Sequence, residues 1–155
     1  MKKTPAEKEL DGFLARFEPE VEALGRAAVS WMRQRLPGAV EMVYDNYNAL
    51  VVGFGPTERV SDALFSVALY PRWVNIFFLS GAALPDPGKR LKGSGSTVRS
   101  LTFKKQEELA DPTLEHFVAL AVSMDRDAQP MEKARKERLL VIKSISPKQR
   151  PRRPL

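Results

Sequence analysis

Apolar residues first recur with helical spacing. Leu10, Phe13, Leu14 and Phe17 stand at i, i+3, i+4 and i+7, which predicts a helix over residues 5–17 with one buried face. Pro19 suits the first position of a second helix, where a missing amide donor costs nothing. Val21, Leu24, Ala28, Trp31 and Met32 give that helix an apolar stripe, and Leu36-Pro37-Gly38 ends it. Trp31, at helical spacing, reads as core rather than as a binding aromatic.

Near residue 40 the period changes. EMVYDNY and ALVVGF read as two strands joined by a turn around Asn46-Tyr47-Asn48, and Gly55-Pro56 breaks the second. ALFSVALY, ended by Pro71, is a third strand, WVNIFFLS a fourth, and VRSLTF (98–103) a fifth. Short connections favour antiparallel neighbours. Asp111-Pro112 then supplies an N-cap and a first-position proline. Leu114, Phe117, Val118, Ala121 and Val122 mark a core-facing helix over roughly 112–125. The expected fold class is α+β: a mainly antiparallel five-stranded sheet with two N-terminal helices and one C-terminal helix packed on it.

Past residue 125 the pattern weakens. RLLVIKSI (138–145) reads as a last strand, pairing with a sheet edge or with a second subunit in a homodimer. A helix from Met131 to Lys143 is the competing reading. SPKQRPRRPL holds three prolines and four cations in ten residues, which predicts a flexible or extended tail.

Charge sharpens this picture. The net charge is +6, yet Lys133 to Leu155 carry nine Lys/Arg against one acid, Glu137, and the remainder is slightly acidic. A local basic segment points to an anionic partner: nucleic acid, another polyanion or a lipid surface. Lys148, Arg150, Arg152 and Arg153 are the candidate tail contacts. Engaging all four would give a log–log salt slope of at most about −4 on duplex DNA and about −3 on a single strand. The alternative is a solubilising terminus.

Residues 86–99 form the second candidate. Lys89, Arg90, Lys92 and Arg99 alternate with Gly93, Ser94, Gly95 and Ser96. Glycine permits the left-handed backbone from which successive amides curl toward an anion, so a small phosphate- or carboxylate-bearing ligand fits this loop. KGSGST is not a nucleotide-binding P-loop, because the glycines follow the lysine. Tyr44, Asn46, Tyr70 and Asn75 are candidate lining residues of a pocket beside the loop.

Catalytic chemistry finds no constellation. Cysteine is absent, which excludes disulfides and thiolate metal sites and fits a cytoplasmic protein. His116 is the single histidine and lies one position off the apolar stripe of its helix, a boundary or solvent-facing place. Asp45 has no identifiable partner, and Asp86 sits between prolines in a turn. No cofactor and no metal are expected. No run reaches membrane-spanning length, and the first residues lack the apolar core of a secretory signal.

Three segments taken together carry a family resemblance: RLPGAVEMVYDNYNALVVGF, WVNIFFLSGAAL followed by PDPGKRLKGSGSTVRSLTF, and DPTLEHFVALA. Over about residues 19–125 the chain resembles the YdhG-like domain family, a largely uncharacterised group that includes a frataxin-like iron chaperone. The resemblance implies a YdhG-like α+β domain over 1–128 followed by a basic extension over 129–155, and it implies no established reaction. It adds an intracellular iron chaperone as a functional alternative. Iron prefers oxygen or imidazole ligands, but Glu18, Glu20 and Glu22 spread around one helix start, and Glu7, Glu9 and Asp11 alternate near the terminus. The leading expectation is therefore a non-catalytic binding protein that meets a polyanion such as nucleic acid through its tail. Small-anion binding at the loop, iron transfer and an uncharacterised enzyme remain as alternatives.

Overall fold

The computed structural model describes residues 2–155. Helix α1 (Pro5–Leu14) starts at a capping box: Thr4 Oγ1 accepts from the Glu7 amide, and the Glu7 carboxylate accepts from the Thr4 amide. Helix α2 (Pro19–Arg35) has Glu20 and Glu22 in its first turn and Arg33 and Arg35 in its last, complementing the helix dipole. Helix α3 (Pro112–Ser123) is capped by Asp111, whose carboxylate accepts from the Thr113 amide at 2.9 Å.

The strands are β1 (Val40–Asp45), β2 (Leu50–Gly55), β3 (Phe65–Leu69), β4 (Val74–Phe78), β5 (Arg99–Phe103) and β6 (Leu140–Ile145). They form one sheet in the order β5-β4-β3-β2-β1-β6. The first five pair antiparallel; short turns require it between β1 and β2 and between β3 and β4, while residues 79–98 join β4 to β5. The sixth runs parallel to β1, with a register shift between Val43 and Tyr44. The α+β class holds, but the sheet is six-stranded and mixed, not five-stranded. The cause is the connection. β6 is reached from the opposite edge through residues 104–139, which carry α3, and a long crossover permits parallel entry.

That crossover also decides between the two readings of 131–145. Pro130 sits inside a 3-10 segment, Arg126–Glu132, and strand begins at Leu140. Gly38 donates to the Met131 carbonyl, and a Cβ there would overlap the Lys133 and Pro130 carbonyl oxygens, so only glycine lets the segment pass. Residues 129–155 are thus tied into the domain through the sheet itself.

Helices α1, α2 and α3 cover one face of the sheet. Val43, Leu50, Val52, Phe54, Phe65, Val67, Leu69, Ile76, Phe78 and Phe103 point into a single core with Leu24, Met32, Leu114, Phe117 and Val118. Phe78 meets Phe65 and Phe117 edge to face, at 5.6 and 6.3 Å between centroids. Each fully buried ring contributes about 1.5–3 kcal/mol through its apolar area. No helix is long and apolar enough to cross a membrane among the described residues.

Candidate functional site

The loop predicted to bind an anion is braced by its own side chains and backbone. Asp86 fastens its first half: the carboxylate accepts from the Arg90 and Leu91 amides, both at 2.9 Å. Those donors, Arg90 first, hold its pKa below the usual carboxylate value. Lys92 bridges back to Ser100 through two backbone hydrogen bonds of 2.8 and 2.9 Å. Gly93 alone among the loop glycines has a positive φ, at +125°. The Arg99 guanidinium donates to the carbonyls of Gly95 and Val98 at 2.7 and 2.8 Å. The loop therefore offers carbonyl oxygens to its own arginine. Arg90 reaches the Thr113 hydroxyl at 2.8 Å, joining the loop to the start of α3. Lys89 (φ +51°), Lys92, Ser94 and Ser96 are exposed.

Beside that junction, a cleft of about 350 Å³ is lined by Pro85, Asp86, Arg90, Thr113, His116 and Phe117. His116 is exposed, as its position off the stripe predicts, and its ring meets Phe117 edge to face. Trp31 is half-buried and stacks against the Arg35 guanidinium, 4.0 Å from the ring centre, and Arg35 in turn pairs with Glu115. No group of three carboxylate or imidazole side chains able to hold a metal ion occurs among the described residues.

The tail is not free. Arg152 is 4% exposed and pairs with Asp45, itself 1% exposed, at 2.7 Å. It also donates to the Asn46 and Tyr47 carbonyls and lies 5.9 Å from the Phe17 ring centre. Asp45 holds Arg16 as well, at 3.3 Å. Around this pair, Ser146 donates to the Asp45 carbonyl, Gln149 reaches the same oxygen, the Arg150 amide donates to Tyr47, and Arg153 donates to the Arg16 carbonyl. The segment expected from composition to be a flexible or extended tail is a strap bound over the β1–β2 turn. Arg152 leaves the set of residues able to meet a phosphate. Lys148, Arg150 and Arg153 stay exposed, and Arg150 lies over the Tyr47 ring at 5.9 Å.

Among the described residues the sheet's second face carries no α-helix, and the 3-10 turn Val60–Asp62 leads into Ala63 beside Gly55 at its end. Along each strand the residues that alternate with the core set point there. Cross-strand register places Met42, Gly53, Ser66, Phe77 and Ser100 in one row. Tyr44, Val51, Ala68, Asn75 and Thr102 form the next row. At the row ends Tyr70 stacks on Trp73, with centroids 5.5 Å apart and planes 24° apart. Three of the four predicted pocket residues, Tyr44, Tyr70 and Asn75, thus share this face. Asn46 lies in the β1–β2 turn, where its carbonyl serves Arg152. Asn75 Oδ1 accepts from the Thr102 hydroxyl at 2.8 Å. The Tyr44 hydroxyl is buried without a hydrogen-bond partner, and burial raises the pKa of both Tyr44 and Tyr70. Met42, Ser66 and Ala68 are buried on this face, whereas Tyr44, Tyr70, Trp73 and Phe77 are half-buried.

Charge separates the two faces. Glu41 and Asp45 are the only carboxylates in the six strands, and both point toward the helices. Glu41, 2% exposed, is gripped by Arg33 at 2.7 Å and faces Arg138 at 3.6 Å. The open face has no acid in its strands. The two-residue period of β1 carries the signal for this, because Glu41, Val43 and Asp45 must share a side. No family model matches the chain, and no curated protein or solved structure was found to be similar to it.

Proposed function

We propose that the protein is a non-catalytic binding protein for an anionic polymer. The observation that carries this reading is the set of C-terminal cations left exposed after the fold has used its share. Lys133, Lys136, Lys143, Lys148 and Arg150 are exposed and form no ion pair among the described residues, whereas Arg138 and Arg152 are committed to buried carboxylates. Exposed cations on an ordered surface supply sequence-independent affinity for a phosphate backbone. Loop 86–99 then contributes Lys89 and Lys92 as further surface charge rather than a single-anion cradle. A YdhG-like ancestry, suggested by the three sequence segments that carry the resemblance, is compatible with this reading and adds no ligand to it.

The test uses the full chain with labelled oligonucleotides at several salt concentrations. Lys148, Arg150 and Arg153 together should account for a log–log slope of about −2.7 on duplex DNA and about −2.1 on a single strand. Replacing these three by glutamine should remove that part of the slope. An unchanged slope would exclude the strap as the contact, and absence of binding near 0.1 M salt would refute the reading.

A further inference from the structure

We infer that the open face of the sheet is a stacking platform for the bases of a single-stranded nucleic acid. This rests on the polyanion reading above and specifies which polyanion. Three observations converge on it. The face presents half-buried aromatic rings, Tyr44, Phe77 and the Tyr70–Trp73 stack, interleaved with the partly exposed polar side chains of Asn75, Ser100 and Thr102. None of its strand positions is acidic, because both strand carboxylates are turned to the other face and neutralised there by arginines. Cations stand on its borders: Arg72 in the β3–β4 turn, Arg150 over Tyr47 beside the β1–β2 turn, Lys143 in the edge strand β6, and Lys92 bridged to Ser100 beyond β5.

The chemistry of this arrangement discriminates among polyanions. A duplex hides its base faces and would meet only the bordering cations. A polyphosphate has no rings to stack. A single strand can lay unstacked bases on the aromatic rings while its phosphates reach the cations at the rim. Phe77 is the most favourably placed ring. Its strand neighbours across the sheet are Ser66 and Ser100, so no large side chain stands beside it in its row. Asn75 and Thr102, hydrogen-bonded to each other, lie one row away, where donor and acceptor groups can meet a base edge. The β1–β2 and β3–β4 turns lie at the same end of the sheet, which brings Tyr47, Arg150, Arg72 and Trp73 to that end.

Trp73 provides a direct readout. The only other tryptophan, Trp31, sits on α2 on the far side of the sheet and can be replaced by phenylalanine. Full-length Trp31→Phe protein is titrated with oligo(dT), oligo(rU), a duplex of the same length and inorganic polyphosphate. Both single strands should quench Trp73 and bind at least about five times more tightly than the duplex or polyphosphate at equal salt. Phe77→Ala should weaken single-strand binding by about fivefold or more and leave polyphosphate binding unchanged. Phe77→Leu, which preserves apolar bulk, guards against a folding defect and should show the same selective loss. Equal binding of all four ligands, without quenching, would overturn the platform and leave the polyanion reading standing. Failure of every ligand to bind would overturn both. A preference between oligo(dT) and oligo(rU) within the single-strand class would support the platform and identify which strand it favours.

Discussion

Arg152→Met should destabilise the whole domain, although position 152 is three residues from the last residue of the chain. The side chain lost is 4% exposed, and its partner Asp45 is 1% exposed. Removing one member of a buried ion pair costs about 3–5 kcal/mol, because the other charge stays behind without compensation. Arg16 remains 3.3 Å from Asp45 and holds part of that charge, which places the expected loss at the lower end, about 3 kcal/mol. For a chain of this size, about 3 kcal/mol lowers Tm by about 6–12 °C. Urea denaturation, followed by circular dichroism, measures it. Arg153→Met, at an exposed position where the side chain donates only to the Arg16 carbonyl, should stay within about 0.5 kcal/mol of the parent. Adding Asp45→Leu to Arg152→Met should recover at least half of the loss, since a buried pair replaced by apolar groups is often close to neutral. An Arg152→Met protein within about 0.5 kcal/mol of the parent would show that the strap is not held by this pair.

Two further outcomes follow from local geometry. Gly25→Ala should cost about 1–3 kcal/mol in the same assay, because the added methyl would overlap the buried side chain of Leu69 where α2 meets β3. An unchanged midpoint would mean that α2 sits further from the sheet. Asp86 has a lowered pKa in the folded state, so its contribution to loop order is present above the ordinary aspartate value of 3.8 and is lost as pH falls through the lowered one. The amide resonances of Arg90 and Leu91 should therefore shift together below pH 3.8, and Asp86→Asn should abolish that titration; independent titration of the two amides would refute a shared carboxylate.

Helix starts are legible in the sequence because their signals are local. Pro19 and Asp111-Pro112 mark the first residues of α2 and α3 without reference to anything distant. The β1–β2 and β3–β4 pairings are legible for the same reason, since short turns constrain neighbours. The sixth strand's direction is not, because a crossover through residues 104–139 leaves it open. The strap is the least legible element. Three prolines and four cations describe a solvated tail equally well, and nothing local signals that Arg152 meets a carboxylate 107 positions earlier. Tyr44, Tyr70 and Asn75 do share one side, as strand alternation implies. Only the full register shows which rows they occupy. Glycine and lysine content shows what an anion site contains, and the internal bonds of Arg99 to the Gly95 and Val98 carbonyls are visible only in the structure.

The basic C-terminus and the acid-free sheet face have one origin. Strand β1 carries two carboxylates at positions of equal parity, so both fall beneath the helices, where desolvation makes them costly unless paired. Two of the pairing arginines, Arg138 and Arg152, come from the C-terminal stretch, one at each end of β6. That stretch therefore neutralises the buried acids of β1 with two of its nine cations and leaves most of the others exposed. Truncation after Ser146 removes Lys148 and Arg150 together with Arg152, so weaker binding by the shortened chain would mix lost contacts with a damaged fold. Substitutions at Lys148, Arg150 and Arg153 separate the two effects, because these side chains are exposed and none is ion-paired among the described residues. If the triple glutamine protein keeps its urea midpoint and loses salt-dependent affinity, the strap holds the fold through its buried arginine and the ligand through its exposed cations.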